Sequence, residues 1–166
     1  QWDEHHQLVS HTVQGATIPL PKGDPTTVPN ATTTTTYDQH GNRVSETDPN
    51  GQTTTYQHNR LGQITRITDP QGNTTHHTYD ERGLLIQTTD ALGNPTTHTH
   101  NPLGQRIQTQ DARGNVWRFS VDRAGRLTQT TDPLGNPTTH TYNPAGQLTE
   151  QRDAQGQLTQ HLTYDL

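Results

Sequence analysis

Glycine recurs in this chain at two fixed phases of a 21-residue period, and no other feature limits the fold as much. One series is Gly41, Gly62, Gly83, Gly104, Gly125 and Gly146; the other is Gly51, Gly72, Gly93, Gly114, Gly135 and Gly156. Apart from Gly15 and Gly23, these are all the glycines present. Three residues before the second series stand Asp48, Asp69, Asp90, Asp111, Asp132 and Asp153. Three before the first stand Asp38, Asn59, Asp80, Asn101, Asp122 and Asn143. A fixed period of this length marks a tandem array of one supersecondary unit.

Each unit therefore carries two turns of the form Asp/Asn-x-x-Gly. An Asp or Asn side chain at the first turn position bonds its own main chain, Pro frequently follows, and glycine supplies the positive φ at the close. The segments between turns are about six to eight residues long, the usual strand length. They are rich in Thr, which favours pleated, half-buried surfaces. None shows a sustained 3.6-residue apolar period, so helices are not expected. The spacing predicts an all-β chain of tandem 21-residue antiparallel β-hairpins. Open sheets beyond about ten strands tend to curl, so the hairpins are expected to form a long, curved sheet strip. Register stays open at this level, because each turn is compatible with a bulged or an unbulged loop.

Two more columns follow from the alignment. Tyr37, His58, Tyr79, His100, Val121 and Tyr142 precede the first-turn Asp or Asn; Arg43, Ile64, Leu85, Arg106, Leu127 and Leu148 lie two residues after the first-series glycine. These positions are expected to be buried, with Val44, Ile67, Ile86, Ile107, Trp117 and Phe119 beside them. The principal core candidates are Tyr37, Ile64, Tyr79, Leu85, Ile107, Phe119, Leu127, Tyr142 and Leu148. Only 23% of the chain is hydrophobic. One repeat on its own has too little apolar surface to offset the entropy of ordering its backbone, so repeats must lean on their neighbours.

The segments Tyr37-Asp38-Gln39-His40-Gly41-Asn42-Arg43-Val44 and Tyr79-Asp80-Glu81-Arg82-Gly83-Leu84-Leu85 resemble the Tyr-Asp-x-x-Gly-x-Leu motif of the Rhs/YD-repeat family. The resemblance runs over residues 37–166, as six repeats starting at Tyr37, His58, Tyr79, His100, Val121 and Tyr142, with a seventh opening at Tyr164. It departs from the motif where His58, His100 and Val121 replace Tyr. Residues 1–36 read as a degenerate repeat, with Trp2-Asp3 as its motif, His6 in the glycine place and a Pro-rich loop inserted over 18–31. Both ends therefore look like parts of a longer array.

The resemblance implies a segment of a β-cocoon that encloses a polypeptide cargo, often a toxin. Such shells belong to secreted or cell-surface bacterial effectors, some carried by type VI secretion, and to the C components of insecticidal toxin complexes; teneurins are the animal relatives. The implied partners are the rest of the same shell, an encapsulated toxin polypeptide and secretion-apparatus proteins. Shells of this kind end in a self-cleaving Pro-x-x-x-x-Asp-Pro-x-Gly-Leu motif. Around Asp132-Pro133 its first proline is replaced by Leu127 and its final leucine by Asn136, and Ile64 and Asn73 do the same around Asp69-Pro70. That site is not expected here.

Other functions are limited by what the chain carries. Lys22 is the only lysine, the formal net charge is −5 and arginines are scattered singly, which argues against a nucleic-acid surface. No apolar run approaches a membrane span, and without cysteine there are no disulfides or thiolate sites. No hydrolase, metalloprotease or phosphate-loop motif appears among Ser10, Ser45, Ser120 or elsewhere, so neither enzymatic activity nor a cofactor is expected. His77, His98, His140 and His161 share one column with Tyr56 and Phe119. The expected role of these imidazoles is that of flat semi-polar side chains, with mutual repulsion on protonation near pH 6. His98 and His100 alone have the spacing of a chelating pair. Two alternatives to a shell remain: a glycan-binding module using the aromatic, His, Asn and Gln rows, and self-assembly through open sheet edges.

Overall fold

A computed structural model of the chain describes residues 4, 10–13, 17–18, 26–27 and 31–165. The reading of Trp2, Asp3 and His6 as a degenerate repeat lies outside them. Sixteen strands are present among the described residues, and no helix. They are β1 (Ser10–Val13), β2 (Thr17–Ile18), β3 (Thr26–Thr27), β4 (Ala31–Tyr37), β5 (Arg43–Thr47), β6 (Thr53–His58), β7 (Ile64–Thr68), β8 (Thr74–Tyr79), β9 (Leu85–Thr89), β10 (Pro95–His100), β11 (Arg106–Gln110), β12 (Val116–Val121), β13 (Leu127–Thr131), β14 (Pro137–Tyr142), β15 (Leu148–Arg152) and β16 (Leu158–His161).

The chain divides into two units, residues 1–76 and 77–166. In the first, β1 pairs with β4, and the ladder continues through β5, β6, β7 and β8, antiparallel throughout. In the second, β9 to β16 pair consecutively in the same manner. The hairpin repeats expected from the glycine period are thus the observed architecture. The inserted segment lies between the paired strands β1 and β4, and its β2 and β3 pair with each other, Thr17 opposite Thr27 and Ile18 opposite Thr26.

Each repeat has a leading turn, opened by Asp38, Asn59, Asp80, Asn101, Asp122 or Asn143, and a trailing turn, opened by the Asp48 series. All twelve have the same main-chain geometry. Asp38 N–H donates to the Asn42 carbonyl at 2.9 Å and Gly41 N–H to the Asp38 carbonyl at 3.0 Å, and every other turn repeats this pair at 2.9–3.1 Å. The result is a type I turn closed by a left-handed residue, as at Gly93 with φ +84°, where only glycine avoids a Cβ penalty.

The two turn families differ in the strands they join. Beside the leading turns the register slips by one residue: Tyr37 faces Arg43 while Thr36 faces Ser45, so Val44 is an additional residue, a β-bulge. Thr65, Ile107, Thr128 and Thr149 occupy the same place. Where the additional residue is Thr its hydroxyl ties the bulge to the opposite strand: Thr65, Thr128 and Thr149 donate to the carbonyls of Gln57, Ser120 and Thr141 at 3.3, 3.1 and 3.1 Å. The hairpins around the trailing turns run without a slip, as in Thr47 opposite Thr53. The last one differs, with Thr159 as a bulge whose hydroxyl donates to the Gln151 carbonyl at 3.1 Å. The 21-residue period would place the next Tyr at position 163; it stands at Tyr164, and the bulge takes up the additional residue.

The expectation of burial needs correction. None of the described residues, apolar or polar, is buried. Tyr37, Ile64, Tyr79, Leu85, Ile107, Phe119, Leu127, Tyr142 and Leu148 are each half-buried. Within each unit, the described strands touch only their ladder neighbours, so none of them forms a second layer over these side chains. One face is nevertheless more occluded than the other. In β6, Thr54, Tyr56 and His58 are half-buried while Thr53, Thr55 and Gln57 are exposed, and in β12 Trp117, Phe119 and Val121 alternate with exposed Arg118 and Ser120. Side chains on the occluded face shield one another laterally.

Candidate functional site

The Asp and Asn turn residues complete a geometry that the backbone alone leaves unfinished. Because the Asp38 carbonyl is taken by Gly41, the N–H of Asn42 has no cross-turn carbonyl. Asp38 Oδ1 takes its place, accepting Asn42 N–H at 2.9 Å and His40 N–H at 2.8 Å. The bond to the residue four on recurs at all twelve turns, and the bond to the residue two on at eleven. Asp48, Asp69, Asp90, Asp111, Asp132 and Asp153 all serve in this way.

The second side-chain atom obeys a pairing rule. At Asp69, Asp90, Asp111 and Asp132 the free carboxylate oxygen accepts the Nδ2 of Asn73, Asn94, Asn115 and Asn136 at 2.7–2.9 Å. Where the turn opens with Asn the polarity reverses: Asn59, Asn101 and Asn143 donate Nδ2 to the Oε1 of Gln63, Gln105 and Gln147 at 3.0, 2.6 and 2.8 Å. Asp80 and Asp122 instead meet Arg82 and Arg126. These contacts hold the carboxyls below the usual carboxylate range: the Asn side chain is the main cause at Asp38, Asp69, Asp90, Asp111 and Asp132, and backbone N–H donation at Asp80 and Asp122.

The two sets of turns pack differently. Leading turns touch the preceding repeat: a Cβ on Gly62 would stand 2.9 Å from Asn42 Oδ1, and one on Gly125 2.8 Å from Gln105 Nε2. Arg82 reaches across to the carbonyls of Asn101 and Pro102 at 3.1 and 3.3 Å. Beside the trailing glycines Gly51, Gly72, Gly93, Gly135 and Gly156 the space is open to 4 Å. Charge follows the packing. The crowded leading turns alternate Asp with Asn, while the open trailing turns carry Asp in every repeat.

Grooves lie between consecutive turns. One of about 530 Å³ is lined by Asp38, His40, Asn42, His58, Asn59, Arg60, Leu61 and Gly62. Two of about 330 Å³ lie between trailing turns of the second unit. Thr88, Asp90, Asn94, Thr96, Asp111, Ala112 and Arg113 line one; Thr130, Asp132, Asn136, Pro137, Thr138, Asp153, Ala154 and Gln155 line the other, at equivalent positions 42 residues on. Four turn-tip leucines stand in solvent: Leu61 (72% exposed), Leu92 (87%), Leu103 (76%) and Leu134 (87%). Their signal in the sequence is Leu at the third turn position, where polar residues are usual.

On the occluded face Arg43 lies over the Tyr56 ring at 4.2 Å and Arg106 over Phe119 at 5.4 Å. This pairing is written in the repeats. Thirteen residues after Arg43 and Arg106 come Tyr56 and Phe119; thirteen after Ile64, Leu85, Leu127 and Leu148 come His77, His98, His140 and His161. A guanidinium gains from a ring quadrupole, whereas an imidazole that takes up a proton would repel it. His77 and His98 instead bond Thr88 and Thr109 through Nδ1, each at 3.1 Å. Burial, then Arg106, then His100 push the His98 pKa down. His98 and His100, the potential chelating pair, are both half-buried, and the described residues contain no cluster of three or more metal-ligating side chains.

Strands joined by uniform Asx-stabilised turns, with no enclosed core among the described residues, define an antiparallel hairpin-repeat protein. The RHS Repeat family model matches residues 37–74, 58–95, 79–116 and 121–158, and the chain belongs to that family. Among solved structures it is similar to TcdB2-TccC3 (16% identity, TM-score 0.71) and to TcdB2-TccC3-Cdc42 (16%, 0.70), in each case over 90% of this chain and 9% of the other. The Photorhabdus luminescens Tc holotoxin pore carrying the mutation TccC3-D651A is similar over 77% of this chain and 9% of that one, at 14% identity and TM-score 0.53. The chain thus spans about a tenth of the length of the structures it matches. No curated protein matches it.

Proposed function

We propose that this chain is a wall segment of an Rhs-type toxin or effector shell, enclosing a polypeptide cargo for delivery outside the producing cell, and that it is not itself a catalyst. The observation that carries this reading is the absence of any buried residue among those described. A sheet whose two faces are both accessible is built as a partition. The occluded face mixes Thr, His, Tyr and Arg with aliphatic and aromatic residues such as Trp117 and Phe119, so hydrogen-bonding groups are interspersed with the apolar contact offered to a passenger. The fold shared with TcdB2-TccC3 supports the same reading.

The test is protease accessibility in the full polypeptide that carries these repeats. An enclosed passenger is cut only after the shell has been opened by denaturant. A passenger cut at the same rate with the repeats intact and with residues 79–120 deleted is not enclosed, and the reading fails. Glycan titration of the chain provides the contrast, since micromolar binding would favour a recognition module.

A further inference from the structure

We propose that the trailing-turn edge of the second unit binds a turn tip from a second copy of this chain: Arg60-Leu61 of one copy enters the groove between the Asp132 and Asp153 turns of the other. Three observations converge on this surface. Nothing lies within 4 Å of a Cβ built on Gly135 or Gly156, on the two turns that border the groove. Leu134, on the tip of one bordering turn, is 87% exposed and presents an apolar side chain beside the groove. Two carboxylates border the groove, and the nearby Arg152 is already paired with Glu150 at 2.8 Å.

The occupant follows from complementarity. The Asn59–Gly62 turn presents Leu61, 72% exposed, directly after Arg60, an exposed cation that forms no ion pair among the described residues. An apolar side chain beside a guanidinium suits a groove lined by Asp132, Pro137, Asp153 and Ala154, with Leu134 on the adjoining turn tip. The Asp90–Asp111 groove is the weaker host, because Arg113 lines it where Gln155 stands in its twin. The contact joins a leading turn of one copy to a trailing edge of another, so its two sides are different surfaces of the chain. It is independent of the shell reading, because a chain that encloses nothing would still associate in this way.

Sedimentation velocity of the whole chain tests it. The expected result is an average mass that rises steadily with concentration. Leu61→Asn and Arg60→Glu should each weaken association by about tenfold or more, and Gln155→Arg, which copies the twin groove, should weaken it as well. Asn50, Glu81 and Arg113 stand at the equivalent tip positions of other turns, so folding is preserved, as an unchanged circular dichroism spectrum would show. A chain monomeric at every concentration overturns the proposal. So does association that survives Leu61→Asn, or that is lost only when Gln160→Pro blocks the β16 strand edge.

Discussion

The Tyr164 hydroxyl donates to the main-chain carbonyl of Leu148 at 2.9 Å, the same bond that Tyr142 makes to Leu127 at 2.8 Å, although one more residue separates the first pair than the second. The bulge at Thr159 absorbs that residue. Spatial phase is restored where sequence phase is lost. Deleting Thr159 should therefore leave stability nearly unchanged, because the other trailing hairpins pair without a bulge. Tyr164→Phe should cost about 0.5–1 kcal/mol, the net worth of one hydrogen bond at a partly exposed site. Hydrogen exchange at Leu162, whose N–H donates to the Thr149 carbonyl, reads both effects.

Equivalent glycines should respond unequally. Gly93→Ala meets no neighbour and carries only the cost of a left-handed Ala, about 1–2 kcal/mol. Gly125→Ala also displaces the Gln105 amide, which accepts from Asn101, and should cost about 1 kcal/mol more. Urea denaturation of the two variants gives the difference. Equal losses would show that the leading turns are no more crowded than the trailing ones.

The Asp–Asn and Asn–Gln pairings should behave as exchangeable sets. Asp90→Asn keeps the Oδ1 bonds to Leu92 and Asn94 N–H but turns a donor toward Asn94 Nδ2. Adding Asn94→Gln recreates the arrangement of Asn59 with Gln63. The double variant should recover most of the loss, with a coupling of about 0.5 kcal/mol in a double-mutant cycle. Strict additivity would dismiss the rule.

Arg106 and Phe119 should be coupled in the same way. Phe119→His alone removes the ring beneath the guanidinium and should destabilise by about 0.5–1 kcal/mol beyond the loss of apolar area. With Arg106→Leu added, the repeat acquires the Leu–His combination of Leu85 with His98, and part of that loss should return. Thermal melts of the four variants at pH 7.5 decide it.

Stability should fall with acid in two stages. The His98 pKa lies below its ordinary value of about 6.5, so the folded chain binds fewer protons than the unfolded one, and stability is lost as pH drops below that value. The turn carboxylates are depressed below the usual range. Their contribution is complete above about pH 4 and disappears as pH falls through the folded values. Melting temperatures should be flat from pH 8 to 7, decline gently below 6.5 and steeply below 4. His98→Gln should remove the first decline and leave the second.

The turns were legible because their chemistry is local. Asp90, Leu92, Gly93 and Asn94 lie within five residues, and their bonds need nothing from the rest of the chain. The Arg–ring rule was also present, in the exchange of Arg43 for Ile64 alongside Tyr56 for His77, but a thirteen-residue spacing across a bulge follows neither a strand nor a helix period. The depth of burial was not legible: Phe119 and Leu127 are core residues by composition, and each is half-buried because the described strands touch only their ladder neighbours.

Hairpin identity, antiparallel order and the positions of the twelve turns can be read from residue order alone, because an Asx side chain and a left-handed glycine determine the backbone over four or five residues. Register could not be read in the same way. A bulge at Val44 or Thr159 is settled by which carbonyls and side chains the neighbouring strand presents, and that is a pairing between distant residues. The inequality of the two turn edges is likewise tertiary: Gly62 and Gly93 are interchangeable in sequence, and only the placement of the adjoining repeat crowds one and leaves the other open.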